Sequence, residues 1–196
     1  MRIELCGPLG VGKTTLAVNL SEGLGLEILR EPVETHPFLA EFYARPADFA
    51  FEKNLFFLLD YLHQVKRVGG SDVVFDHSPV VHRAYAIVNK SVSPAEKPVF
   101  AALDTLIATL PPPDLLIHLV CAPDIVMQRI RTRGRQMESS VGIDYVTSLA
   151  DEMARQVDGV RGHMRVLDLD AGAYDLVASA ADNDRVVSLI RDTLNT

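Results

Sequence analysis

The stretch Gly7-Pro8-Leu9-Gly10-Val11-Gly12-Lys13-Thr14-Thr15 limits what this chain can fold into more than any other. It fits a glycine, four residues, then Gly-Lys-Ser/Thr, a loop whose backbone amides cradle phosphates. Its setting carries as much weight as its letters. Residues 3–6 form a short apolar run bounded by glycine and read as a buried strand. Residues 14–24 place Leu16, Ala17, Leu20 and Leu24 at helical spacing. Strand, glycine loop and helix in that order make an anion site. The glycines let N–H groups turn inward without a Cβ in the way, and the helix start adds unpaired donors and partial positive charge. Lys13 would reach the β- and γ-phosphates of a nucleotide, and the Thr14 hydroxyl would ligate Mg²⁺. A chance glycine turn before a helix is the alternative, and it has to meet both the pattern and its setting.

Beyond the loop, strand-like and helix-like segments alternate without repeats, low-complexity tracts or long linkers. That alternation implies an α/β chain with a parallel sheet covered by helices on both faces. The strands read at 3–6, 27–30, 73–75, 115–120 and 165–169, with a long, mostly buried helix from 46 to about 67. Pro111-Pro112-Pro113 cannot continue a helix and delivers the chain to the fourth strand. A length of 196 residues and 48% hydrophobic content suit one domain with a full core. Nineteen basic against 26 acidic residues give a net charge of −7, which argues against nucleic acid or an anionic membrane as partner. Cys6 and Cys121 read as reduced core thiols, no zinc-ligand spacing is present, and no apolar run is long enough to span a bilayer. With a strand and phosphate loop starting near Met1, no secretory leader is expected and a cytoplasmic location is.

Ligands of open parallel sheets bind beyond the carboxyl ends of the strands, where Glu31 and Asp76 stand. Asp76 closes the apolar run Val73-Val74-Phe75 and reads either as a metal-side acid or as an N-cap, with Ser78-Pro79 as a competing cap. Glu31, held extended by Pro32, reads as a general base or as a solvated strand-end acid. Arg129, Arg131, Arg133 and Arg135 cluster after a helical pattern, beside Gly134. They read as a lid over phosphates or as a solvated basic face. His77 and His82 flank the exit of the third strand without a function fixed by spacing.

Several separate segments together resemble the deoxynucleoside kinases, particularly the bacterial deoxyadenosine/deoxyguanosine kinase-like members. These are the phosphate loop, Glu31-Pro32-Val33, the block from Phe42-Tyr43 to Ala50-Phe51, Asp76-His77-Ser78, Arg129 with Arg133-Gly134-Arg135 and Glu138, Asp144-Tyr145, and 166–170 before the loop 171–175. The resemblance covers nearly the whole chain. It implies a P-loop NTPase fold over 1–196, a five-stranded parallel sheet in the order 2-3-1-4-5 and an arginine-rich lid at about 129–140. It implies transfer of a phosphoryl group from ATP, with Mg²⁺, to the 5′-hydroxyl of a (deoxy)nucleoside, and a homodimer. Glu31 would be the base, with Tyr43 and Glu138 on the sugar 3′-hydroxyl and Asp76 at the metal. Arg129, Arg133 and Arg135 would stabilise the phosphoryl group in flight, and Asp170 would lie before the adenine-facing loop. In the base pocket Asn54 stands for the family's glutamine, Tyr61 and His77 for arginines, and His82 for an acid. Two other readings share parts of this pattern. A thymidylate kinase-like enzyme shares the loop, the Glu-Pro, the lid and Ala84-Tyr85. A nucleotide-binding regulator derived from a kinase would retain the loop while His77 and His82 replace charged groups.

Overall fold

The computed structural model describes residues 1–89 and 93–195, so 90–92 and 196 of the expected 1–196 domain lie outside the described residues, as do the side chains of Ala47 and Met137. Five parallel strands form one sheet in the order β2-β3-β1-β4-β5, the expected order. They are β1 (Arg2–Cys6), β2 (Glu27–Leu29), β3 (Val73–Phe75), β4 (Leu115–Val120) and β5 (Val166–Asp170). The helices between and after them are α1 (Lys13–Leu24), α2 (Leu39–Ala44), α3 (Pro46–Val68), α4 (Pro79–Val88), α5 (Lys97–Ala108), α6 (Pro123–Arg133), α7 (Ile143–Val160) and α8 (Ala180–Asn195).

Period-two alternation along the strands divides the core between the two faces. Ile3, Leu5, Val74, Ile117 and Leu119 pack on Leu16 and Leu20 of α1 and on Val186 and Ile190 of α8. On the other face, Val73 and Phe75 meet Leu58, Tyr61 and Leu62 of α3 and Leu103 and Ile107 of α5. Cys6 and Leu116 meet Val80 and Ala84 of α4 and Leu149 and Met153 of α7. Each fully buried Leu or Ile contributes about 2 kcal/mol by leaving water. Residue-level bounds differ from the sequence reading at strand and helix ends. β2 stops at Leu29 because the next amides leave the ladder: Glu31 N–H donates to Asp76 Oδ1, and Pro32 has no N–H. Helix α1 begins at Lys13 and not Thr14, with no side-chain cap, so its first-turn amides stay open to an anion.

The phosphate loop is wedged between β4 and α6. Gly7 has φ +143, and a Cβ there would lie 2.7 Å from the Leu119 carbonyl oxygen. Gly10 has φ +75, and its Cβ would meet Ile130 at 2.7 Å. Side chains at either position would displace the loop from the sheet.

The second face also buries an acid. Glu4 of β1 is 2% exposed; it accepts a hydrogen bond from the Tyr61 hydroxyl at 2.7 Å, and Arg2 Nε lies 3.0 Å away. Burial, opposed by Arg2 and by the Tyr61 bond, pushes its carboxyl from 4.5 up to about 7. The folded state therefore holds this proton longer than the unfolded chain, and stability falls as pH rises from about 4.5 through about 7. The full cost is roughly 3 kcal/mol above that range, at 1.36 kcal/mol per unit. Glu4→Gln should raise the thermal midpoint more at pH 8 than at pH 5, by about 2–4 °C for each kcal/mol relieved. Equal shifts in melts at the two pH values would show that ionisation of Glu4 is not what the fold pays for.

Candidate active site

A cavity of about 1130 Å³ opens at the carboxyl ends of the strands, floored by the phosphate loop and the exits of β2 and β3. Leu9, Gly10, Val11, Gly12, Lys13, Thr14 and Thr15 line it, and Gly7 and Pro8 lie outside the lining. Lys13 Nζ donates to the carbonyl oxygens of Gly7 at 2.8 Å and Pro8 at 3.1 Å. Burial lowers the Lys13 pKa, while Glu31 and Asp76 pull it back up.

Asp76 joins the loop to the second strand. Its Oδ2 accepts from the Thr14 hydroxyl at 3.3 Å, and its Oδ1 accepts from Glu31 N–H at 2.7 Å. It does not cap α4, whose N-cap position is Ser78. Burial raises the Asp76 carboxyl, and the Glu31 amide, Lys13 and Thr14 oppose the rise. Glu31 lines the same cavity; its pKa is also raised by burial, lowered by Lys13, raised by Asp76 and lowered by Lys53. Two acids and a lysine thus share one pocket, with amide and hydroxyl donors fixing one of the acids. No group of three His, Cys, Asp or Glu side chains converges as a metal cage among the described residues. Thr14 and Asp76 nevertheless fit Mg²⁺, which takes one or two protein oxygens and completes its shell with water and phosphate.

The arginine segment is the end of α6, capped by Gly134 at φ 65, followed by a short 3₁₀ turn at Gln136–Glu138. Arg129 donates to the carbonyl oxygens of Val11 and Ala171, both at 2.8 Å, pinning α6 to the phosphate loop and to the turn after β5. Arg133 makes a bidentate pair with Glu138 at 2.7 and 2.6 Å. Arg135 lies 3.7 Å from Glu138 Oε1. All three arginines, Glu138 and Tyr43 line the cavity.

The residues expected around the base divide. His82 lines the cavity, with Nδ1 3.8 Å from Glu31 Oε1 and its ring stacked on Phe57 at 5.0 Å and 8°. Burial drives its pKa well below the usual value, so the imidazole is neutral. Asn54, Tyr61 and His77 are 1%, 2% and 0% exposed and do not line the cavity. For Tyr61 the reason is Glu4, which takes its hydroxyl. His77 is turned under the floor among Tyr61, Phe75 and His82, with burial pushing its pKa down to about 3. These positions correct the expectation that they touch substrate. Asp170 also lies outside the cavity lining and accepts from Gly172 N–H at 2.8 Å.

Sequence reasoning missed Lys53. This α3 lysine is 6% exposed yet lines the cavity, its ammonium over the rings of Phe42 at 4.5 Å and Tyr85 at 5.2 Å. The signal was there: Lys53 falls on the helical stripe of Ala50, Phe57 and Tyr61, all buried.

The deoxynucleoside kinase family model matches residues 3–195. A deoxyguanosine kinase of Bacillus subtilis is 25% identical over 202 residues, covering 98% of this chain and 97% of that one. A deoxyguanosine kinase of Lactobacillus acidophilus is 29% identical over 208 residues, covering 98% and 90%. The structure of deoxyadenosine kinase from M. mycoides with bound dCTP superposes with a TM-score of 0.82 at 23% identity, over 100% of this chain and 99% of that one. That likeness carries the fold, and the family match spans every element of the cavity: this chain belongs to the deoxynucleoside kinase family.

Proposed function

We propose that this protein transfers the γ-phosphoryl group of ATP to the 5′-hydroxyl of a deoxynucleoside, within one P-loop kinase domain. The observation that carries this reading is Glu31 lining the cavity that the phosphate loop floors, within electrostatic reach of Lys13 and Lys53 and with its amide bound to Asp76. Phosphates lie along Gly7–Thr15, on the open amides of α1 and against Lys13. Thr14 and Asp76 would hold Mg²⁺, which would supply neutralisation of phosphate charge. Glu31 takes the proton of the 5′-hydroxyl as its oxygen bonds to the γ-phosphorus. The bond from that phosphorus to the β–γ bridging oxygen breaks, and the diphosphate leaves. Tyr43 and Glu138 hold the sugar, and Arg129, Arg133 and Arg135 draw charge from the phosphoryl group in transit. Arg133 exchanges Glu138 for phosphate as the lid closes. Asp170 would act indirectly, by bracing with Gly172 the turn after β5 that Arg129 also holds.

Family membership with relatives named deoxyguanosine and deoxyadenosine kinases supports this reading over a thymidylate kinase-like enzyme or a catalytically silent regulator. Among the described residues no helix is long and apolar enough to cross a membrane, in keeping with a cytoplasmic salvage role. Exposed Leu59 of α3 and Val99 and Leu106 of α5 offer apolar area for the homodimer.

The test is phosphate transfer from labelled ATP and Mg²⁺ to natural nucleosides and their monophosphates. Label should appear on a deoxynucleoside; label on monophosphates alone would overturn the assignment. Glu31→Gln should lower kcat about 10²- to 10⁴-fold. In the wild type, kcat should fall on acidification through a pKa above the usual carboxylate range, because burial raises Glu31 and only its ionised form accepts a proton. A variant retaining near-full kcat would remove Glu31 from the role of base. Lys13→Ala should weaken ATP binding by titration calorimetry at least about tenfold, the scale of a charge-assisted hydrogen bond. Unchanged affinity would detach the phosphate loop from the nucleotide.

A further inference from the structure

Beyond Glu31, on the side away from the phosphate loop, the cavity wall holds a cation that the chemistry above does not use. Lys13 is held at the phosphate loop by the Gly7 and Pro8 carbonyl oxygens, whereas the Lys53 ammonium lies over aromatic rings of the cavity lining. Lys53 therefore belongs to the nucleoside half. Its ammonium is enclosed by Phe42, Tyr85 and Phe57, the last at 5.9 Å from the ring centroid, and all three rings line the cavity. Among the described residues the amine makes no hydrogen bond and no ion pair; its backbone carbonyl alone is engaged, accepting from His36 Nε2 at 3.0 Å.

A desolvated ammonium beside flat apolar faces is incomplete without a ligand. The rings supply cation–π attraction but no oxygen or nitrogen lone pair. Aromatic faces also stack nucleobases. The neighbouring group of the wall, His82, is a neutral imidazole. Its Nδ1 lies 3.8 Å from Glu31 Oε1, and its Nε2 is buried without a protein partner. A neutral imidazole carries one N–H and one lone-pair nitrogen, so Lys53 is the strong donor-only group of this region and His82 the ring beside it with a lone pair to offer.

We propose that Lys53 reads the nucleobase and selects an oxo-substituted base over an amino-substituted one, deoxyguanosine being the best fit. This rests on the nucleoside kinase reading and names its substrate class. Guanine offers O6 and N7 as adjacent acceptors to an ammonium, and its N1–H is a donor for the lone-pair nitrogen of the His82 ring. Adenine sets an N6 amino group, itself a donor, where O6 would be, so two donors face each other in a water-poor pocket. A 4-oxopyrimidine shares the single oxygen but lacks the adjacent N7. Burial pulls Lys53 down to about 8 while Glu31 pulls it back, so the amine remains cationic at neutral pH.

The test compares kcat/KM for deoxyguanosine, deoxyinosine, deoxyadenosine, thymidine and deoxycytidine, with ATP and Mg²⁺, in the wild type and in Lys53→Met. The wild type should prefer deoxyguanosine and deoxyinosine to deoxyadenosine, and thymidine to deoxycytidine. Deoxyguanosine ahead of thymidine shows that N7 takes part; thymidine ahead of both purines overturns the fit to guanine. In Lys53→Met the deoxyguanosine-to-deoxyadenosine ratio should fall by about 10- to 100-fold, mostly through KM. A ratio that survives the substitution overturns the proposal. So does a wild type that favours the amino bases, whatever the folding of the variant. No label on any nucleoside would instead sink the kinase reading itself, so the two failures are distinct.

Discussion

One buried carboxylate, Asp76, organises the reactive end of this sheet. With one oxygen it takes the Thr14 hydroxyl of α1, and with the other the backbone amide of Glu31. Three chain segments far apart in sequence are thereby fixed: the helix behind the phosphate loop, the exit of β2 and the exit of β3. The amide is spent on Asp76 and not on the sheet, so β2 ends at Leu29 and Glu31 swings over the cavity. Burying an acid costs free energy unless donors and cations meet it. Here an amide, a hydroxyl and Lys13 do so, and the same contacts place the second acid where a hydroxyl could lose its proton.

Much of this was legible in the sequence, for identifiable reasons. A parallel sheet buried on both faces needs near-continuous apolar strands, and Val73–Phe75 and Leu115–Val120 announce themselves that way. The phosphate loop is legible because its glycines answer hard steric limits: at Gly7 and Gly10 any Cβ would strike the sheet or α6. Strand-end acids are legible because parallel sheets place ligands there. What stayed hidden depends on pairings that no local pattern encodes. Tyr61 was read as facing substrate, but its hydroxyl is claimed by Glu4, 57 residues earlier in the chain. His77 follows it into the same layer. Lys53 is a partial case: its place on the buried stripe of α3 is visible in the sequence, but the rings of Phe42 and Tyr85 that enclose its ammonium come from other helices.

The lid segment illustrates a different limit. Arg129, Arg133 and Arg135 all reach the cavity, but their present partners differ. Arg129 is held by two carbonyl oxygens, which a guanidinium satisfies without losing its charge, so it serves as a brace that still projects positive potential. Arg133 is matched by a carboxylate that is 8% exposed. Releasing it leaves Glu138 without its main partner unless a ligand hydroxyl arrives to replace the guanidinium. Phosphate on Arg133 and a sugar hydroxyl on Glu138 would exchange together, which couples occupancy of one half of the cavity to the other. Sequence spacing brings these residues into one lid but says nothing of this coupling.

Charge explains why the base side departs from the family pattern in several places at once. That pattern would put arginines at 61 and 77 and an acid at 82, a net charge of one positive unit. This chain has a tyrosine and two histidines there, and burial keeps both imidazoles neutral. An acid at 82 would face Glu31 in a low-dielectric pocket, adding to the repulsion that Asp76 already exerts. A neutral imidazole at 82 removes that conflict, and Lys53 supplies a single positive charge near it, both groups lying against Phe57. The neutral side chains at these positions have partners of their own: the Tyr61 hydroxyl donates to Glu4, and the His82 ring lies flat on Phe57. A base pocket rebuilt this way keeps its overall charge while changing which edge of a nucleobase it can hold.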